Sequence, residues 1–138
     1  AICAALIEAG CPEIRLINRT IGKAQEIVEI VGGNIKIYPW EKGAECLKGA
    51  SLVVNATSLG MSKGEELDLD LAYLEPRAVV TDVVYTPLKT GLLRRAGARG
   101  NLVVDGLGML IHQARAAFSA WFGVEPEVTQ ELRELLLK

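Results

Sequence analysis

The 138-residue chain has little on which metal or nucleophilic chemistry can be built. It holds one histidine, His112, and three cysteines, Cys3, Cys11 and Cys46. The cysteine number is odd and no two stand in a CxxC spacing. With His112 far away in sequence, a zinc site has little support. Reduced thiols packed as small hydrophobes are expected, and a reducing, cytoplasmic compartment with them. No Ser/His/Asp pattern and no nucleophile elbow occurs. No apolar run approaches the ~20 residues of a membrane span, and AICAALIEAG lacks the basic n-region and cleavage pattern of a signal peptide. Net charge is −2, which gives no reason to expect nucleic acid or a membrane surface as partner.

What is present is a chain that is half hydrophobic, enough for one domain with a core. Its organising stretch is Ile14–Lys23, IRLINRTIGK. Ile14, Leu16 and Ile17 supply strand-forming bulk that stops at a polar corner, Asn18-Arg19-Thr20. A helical pattern begins at once afterwards. A helix start offers unpaired N–H groups and partial positive charge, and Arg19 adds a planar fork of donors suited to phosphate oxygens. The corner has no acid. An acid there reads the ribose 2′-OH of NAD, whereas an Arg accommodates the 2′-phosphate of NADP. An NADP adenosine site is therefore expected, with Thr20 as helix cap and Lys23 on the same side of the first turn.

Taken in order, apolar spacing predicts a helix over 1–9 closed by Gly10, a strand over 14–18 and a helix over 21–31 ended by Gly32-Gly33. A strand over 35–38 and a weak helix over 41–48 follow. SLVVN, 51–55, reads as a buried parallel strand. A long loop leads to one helical turn near 70–74 and a strand over 78–84. A helix over Leu88–Ala96 ends at Gly97, and the last strand is 102–105. The longest helix spans Gly106–Phe122, with Leu107, Leu110, Ile111, Ala114, Ala117, Phe118 and Trp121 on its apolar face. Gly123 stops it, and Pro126 suits the first turn of a final helix. Strands alternating with helices predict an α/β fold with a parallel sheet, whose ligands sit beyond the carboxyl ends of the strands.

The polar clusters fall at those ends. Asn55-Ala56-Thr57-Ser58 has groups that could approach a nicotinamide, although by composition alone an ordinary polar turn is the better reading. Asp82 and Tyr85 flank another strand end. Tyr85 has an O–H to offer a polar substrate, but a tyrosine there is more often a packing residue. Gly106 and Gly108 open the long helix and allow close backbone approach, as glycines do at many tight turns. Gln113 lies on the flank of that helix, either reaching a cleft or marking a boundary. His112 points away from Leu110 and Ala114, so an exposed position is expected.

Four strings together, NRTIGKA (18–24), VVNATSLGM (53–61), TDVVYTPLKTGLL (81–93) and VDGLGMLIHQARAAFSAWFG (104–123), resemble the C-terminal, NADP-binding part of the shikimate dehydrogenase family. The resemblance implies a Rossmann-like doubly wound parallel sheet. It implies that Asn18, Arg19, Thr20 and Lys23 hold the adenosine 2′-phosphate. Ala56, Thr57 and Ser58 would line the cofactor groove, and Val83 and Gly106 would contact the nicotinamide end. Tyr85 and Gln113 would reach shikimate. The implied reaction is NADPH-dependent, reversible reduction of 3-dehydroshikimate to shikimate, a step of aromatic amino acid biosynthesis. Alternatives are an NAD-dependent shikimate/quinate dehydrogenase, a non-catalytic dinucleotide-binding module and, more distantly, a related reductase such as a glutamyl-tRNA reductase.

The family's first strand, its glycine-rich diphosphate turn and its substrate domain with a Lys–Asp proton-transfer pair have no counterpart here. No catalytic residue is therefore expected in this chain, which reads as the C-terminal piece of a longer one. Residues 1–123 would be the incomplete cofactor domain. Residues 124–138 would form a helix packing toward the missing substrate domain. Without the first strand, the strand at 14–18 and the strand at 51–55 should each lack a neighbour.

Overall fold

Every strand pairing is parallel. A computed structural model describes residues 1–62 and 64–137. Lys63, within the long loop, and Lys138, the last residue of the expected C-terminal helix segment, lie outside the described residues. In chain order the elements are α1 (Ile2–Glu8), β1 (Ile14–Ile17), α2 (Ile21–Val31) and β2 (Ile35–Tyr38). A 3-10 turn (Trp40–Lys42) then runs into α3 (Gly43–Cys46). β3 (Leu52–Asn55), β4 (Val79–Asp82), α4 (Gly91–Ala98), β5 (Leu102–Val104), α5 (Leu107–Phe122) and α6 (Gln130–Leu135) follow. The strands make two sheets, β1-β2 and β3-β4-β5, so β1 and β3 are not paired with one another. The chain divides into two compact units: Ala1–Ala50 with Leu69–Leu74, and Ser51–Asp68 with Glu75–Lys138.

In the first unit α2 lies against β1 and β2, with Ala24 fully buried. Its amphipathic spacing and the left-handed Gly32 (φ 69°) explain where it forms and stops. α1 ends in the same manner, with Gly10 at φ 80° and the Cys11 N–H donating back to Leu6 O at 2.9 Å. Arg15 ties β1 down from within. Its Nε donates to Glu13 Oε1 at 2.7 Å, and its Nη1 donates to Cys46 O at 2.9 Å and Lys48 O at 2.7 Å. Lys36, opposite Arg15 in the ladder, also donates to Glu13. All three cysteines are free, and burial pushes the Cys46 thiol up, which leaves it protonated and inert.

In the second unit α4 covers one face of β3-β4-β5. Val53, Asn55, Val80 and Asp82 are buried on that face. On the opposite face Leu52, Leu102 and Val104 are exposed. The expectation that 51–55 is a buried strand is thus narrowed: Val53 and Asn55 are buried, while Leu52 on the opposite face is exposed. The strand expected over 78–84 ends at Asp82, since the Asp82 side chain takes the Val84 N–H and turns the backbone out of the ladder. The helix expected from Leu88 starts at Gly91, where Thr90 is the N-cap and accepts from Leu93 N–H. That helix continues through Gly97, and left-handed Gly100 follows its end. Pro126 precedes the final helix rather than opening it, because Thr129 caps α6 by accepting from Leu132 N–H at 3.2 Å. On α5 only Leu107 and Ile111 are buried, and Trp121 is 78% exposed, so the expected apolar face is covered only near its start.

Asn101 closes the lower end of the second unit. Its buried Nδ2 donates to Glu75 O at 2.8 Å, Pro76 O at 3.2 Å and Ala78 O at 3.0 Å. Asn101→Ala should cost about 1–3 kcal/mol, read from urea unfolding, because buried carbonyls lose their donor; an unchanged midpoint would count against this account. Hydrogen bonds from Lys36 and then Arg15 hold the Glu13 carboxyl below its ordinary value of 4.5. A depressed folded-state value stabilises above the unfolded carboxyl's range and is lost as pH falls through the folded-state value. Glu13→Gln should therefore make stability less sensitive to acid than in the wild type, measured as urea midpoints at neutral and acid pH. Equal sensitivity in both proteins would contradict the role given to Glu13.

Candidate functional site

The first unit carries the basic corner. β1 runs out at Ile17, and Asn18 Oδ1 accepts the Thr20 N–H at 2.9 Å. This Asx turn reverses the chain into α2. Thr20 occupies the N-cap position with extended backbone, but its side chain makes no cap bond. Asn18 shapes the turn instead, which corrects the expectation that the Thr20 hydroxyl caps the helix. In the first turn of α2 the Lys23 N–H is taken by Thr20 O at 3.1 Å, which leaves the Ile21 and Gly22 N–H groups at the helix start, and a Cβ placed on Gly22 would meet nothing within 4 Å, so this terminus is open. Arg19 and Lys23 are both exposed. The Arg19 guanidinium carbon stands 5.9 Å from the centroid of the Trp40 ring, within cation–π range. Sequence reasoning did not single out Trp40. The parallel register puts Ile17 opposite Tyr38, so the chain leaves both strands at one end. Trp40 is two residues past Tyr38, as Arg19 is two past Ile17.

The second unit carries the other candidate residues. β3 and β4 end side by side, Asn55 opposite Asp82. Asn55 Oδ1 accepts both the Thr57 N–H at 3.1 Å and the Thr57 hydroxyl at 2.7 Å. Thr57 Oγ1 in turn accepts the Leu59 N–H at 3.1 Å. The turn this builds leaves Ala56, Thr57 and Ser58 exposed. From β4, the Asp82 turn leads through half-buried Val83 to Tyr85, which is 47% exposed and not a packed core residue. Gly106 is brought against this turn. A Cβ there would stand 2.4 Å from Val83 O and 2.8 Å from Val84 O. Val83 and Gly106 are thus in direct contact, and only a glycine permits it. Asp105 sets the start of α5 by accepting the Leu107 N–H at 3.1 Å, and its other oxygen accepts from Arg133 at 2.5 Å. Gln113 and His112 are exposed on α5. Among the described residues no cluster of three potential metal ligands occurs. Nor is any helix of the described residues long and apolar enough to cross a membrane.

Comparison with known proteins follows the same lines. Residues 1–63 match the family described as shikimate/quinate 5-dehydrogenase, and residues 106–137 match the shikimate 5′-dehydrogenase C-terminal domain. The chain is 52% identical over 137 residues to a shikimate dehydrogenase (NADP(+)) of Paramagnetospirillum magneticum, and 51% identical over 141 residues to that of Rhodospirillum rubrum. Each alignment takes in 99% of this chain and 50% of the relative. The chain belongs to the shikimate dehydrogenase family. It spans about half the length of the relatives it matches. Among solved structures it resembles a Corynebacterium glutamicum quinate dehydrogenase in complex with NAD, with TM-score 0.89, 31% identity and coverage of 99% of this chain and 50% of that one. It also resembles a Thermus thermophilus shikimate 5-dehydrogenase in complex with NADP(H) and shikimate, with TM-score 0.74, 37% identity and coverage of 89% and 44%. The Rossmann-like parallel α/β reading is borne out.

The two glycines that open α5 make a matched pair. Gly106→Ala drives a methyl into the Val83 and Val84 backbone and should cost about 1–3 kcal/mol of stability. Gly108, with nothing within 4 Å of a built Cβ, should accept alanine and gain up to about 1 kcal/mol of helix propensity. Thermal unfolding of the two variants side by side checks this, and similar melting points would refute the contact.

Proposed function

We propose that this chain is the cofactor-binding portion of a shikimate dehydrogenase that interconverts 3-dehydroshikimate and shikimate with NADP. The observation that carries the reading is the exposed basic corner, where Arg19 and Lys23 flank the open start of α2 and no carboxylate lies between residues 18 and 23. The donor set fits a phosphate monoester: a guanidinium fork, an ammonium and helix-terminal N–H groups. Asn18, Arg19, Thr20 and Lys23 would hold the 2′-phosphate end of NADP. Ala56, Thr57 and Ser58 would line the cofactor groove, and Val83 and Gly106 would contact the nicotinamide end. The nicotinamide, when bound, supplies the hydride chemistry. Tyr85 would hold shikimate through its phenolic O–H, and Gln113 through its amide, fixing the carbinol carbon for transfer.

The proton that leaves the carbinol with the hydride is assigned to a Lys–Asp pair outside these 138 residues, as in the family pattern. Residues 1–123 are assigned to the cofactor domain, and 124–138 to a segment that packs toward a substrate domain; exposed Leu135 and Leu136 on and beside α6 support this. A quinate-oxidising, NAD-using enzyme is the second reading, favoured by the similarity to the quinate dehydrogenase in complex with NAD. Arg19 and Lys23 favour NADP over it.

Both readings meet in one experiment. The natural-length protein is assayed with shikimate and quinate, each with NADP and NAD. Preference for shikimate with NADP is expected, and Arg19→Ala should lower the NADP-over-NAD preference about 10- to 100-fold, the worth of one charge-assisted hydrogen bond. Equal use of NAD by wild type, or an unchanged preference in Arg19→Ala, would sink the NADP assignment.

A further inference from the structure

Two buried polar side chains of the second unit have no place in the reading above. Asp82 is 1% exposed and Thr90 is 0% exposed, so neither reaches a ligand. Asp82 nonetheless accepts three hydrogen bonds. Its Oδ2 accepts the Thr90 hydroxyl at 2.7 Å, and its Oδ1 accepts the Val84 N–H and Asn55 Nδ2, both at 3.0 Å. The Asn55 amide group also donates to Leu59 O at 3.0 Å, while Asn55 Oδ1 holds Thr57. One continuous set of bonds therefore runs from the N-cap of α4, through Asp82, to the 55–59 turn. Its two outer ends are the segments that carry Ala56, Thr57 and Ser58 on one side, and Val83 and Tyr85 on the other.

We infer that Asp82 and Thr90 are positioning residues that set the 56–58 turn and the 83–85 turn in register for their ligands. The inference rests on the assignment of those turns to cofactor and substrate. Stability alone does not call for this arrangement. Well-packed apolar side chains of similar volume fill a core as well as, or better than, buried polar groups. Apolar packing is non-directional, however, whereas each hydrogen bond fixes an angle as well as a distance. The carboxyl group of Asp82 fixes three donors from three different segments at once. By holding the Val84 N–H it shapes the Val83 peptide, whose oxygen lies where a Gly106 Cβ would be. Thr90 holds the remaining carboxyl oxygen, so the orientation of the whole group depends on its hydroxyl.

The test uses the natural-length protein. Thr90→Val keeps shape but removes the hydroxyl, and Thr90→Ser restores it. Steady-state rates with shikimate and NADP are measured beside thermal unfolding. Thr90→Val loses the charge-assisted bond to Asp82 and also the cap on the Leu93 N–H, and it should raise KM for both ligands about tenfold. Thr90→Ser should return both values to near wild type. If Thr90→Val does not fold, Asp82→Asn takes its place: its Oδ1 still serves Asn55 and Val84, its Nδ2 would donate to Thr90 Oγ1, and the bond is kept with its direction reversed and its charge lost; a rise of both KM values, smaller than for Thr90→Val, is expected, and unmoved values overturn the inference. A lower melting temperature with both KM values unchanged, and kcat reduced only in proportion to the folded protein, makes the network purely structural and overturns the inference. Wild-type protein inactive on shikimate with either cofactor overturns the functional reading itself, and the inference with it. Active wild type with unmoved KM values in the variants overturns the inference alone.

Discussion

A carboxyl group in a protein interior is tolerated only where donors surround it, and much of the second unit is arranged to meet that condition for Asp82. The group sits at the carboxyl end of the central strand of β3-β4-β5. Its neighbours are recruited from each side: Asn55 from the end of the adjacent strand, Val84 from its own turn and Thr90 from the start of α4. The same bonds end β4 two residues earlier than its apolar run suggests and delay α4 to Gly91. They also connect two strand ends that carry the candidate ligand contacts. Gly106 completes the arrangement by bringing α5 onto the Val83 peptide at a separation that no side chain would permit.

The first unit solves a different problem, that of keeping positive charge available at a surface. Glu13 draws Arg15 and Lys36 into a local cluster along the β1-β2 ladder. Arg15 spends its remaining donors on the carbonyls of Cys46 and Lys48. The charges at the strand end are held differently. Arg19 has an aromatic plate beside it, and Lys23 stands in solvent on α2. The shape of the corner comes from Asn18, which turns the chain, rather than from a side-chain cap on the helix.

Much of this was legible from the residues. β1, β2, α2 and the glycine stops at Gly10, Gly32 and Gly123 follow from spacing and φ preference, which are local properties. The places of error have two causes. The end of β4 and the start of α6 turn on short-range side-chain bonds, Asp82 to Val84 and Thr129 to Leu132, that apolar spacing does not register, whereas the burial of β3 and α5 depends on which faces a neighbour covers. Thr90 lies inside the helix expected over Leu88–Ala96, and nothing in its local sequence shows that its hydroxyl serves Asp82, eight residues earlier. Trp40 follows a strand as an ordinary aromatic, and only the parallel register with β1 brings it to Arg19.

The sequence by itself determined the alternation of strands and helices, the acid-free basic corner and the four strings that mark the family. These depend on residue type and short-range order, which the chain carries before it folds. Tertiary structure alone decided that Trp40 stands beside Arg19, that Val83 and Gly106 touch, and that Asp82 is shared among three segments. Those are matters of which donor meets which acceptor across a fold, and pairing across space is settled by packing, with burial penalising every polar group left without a partner.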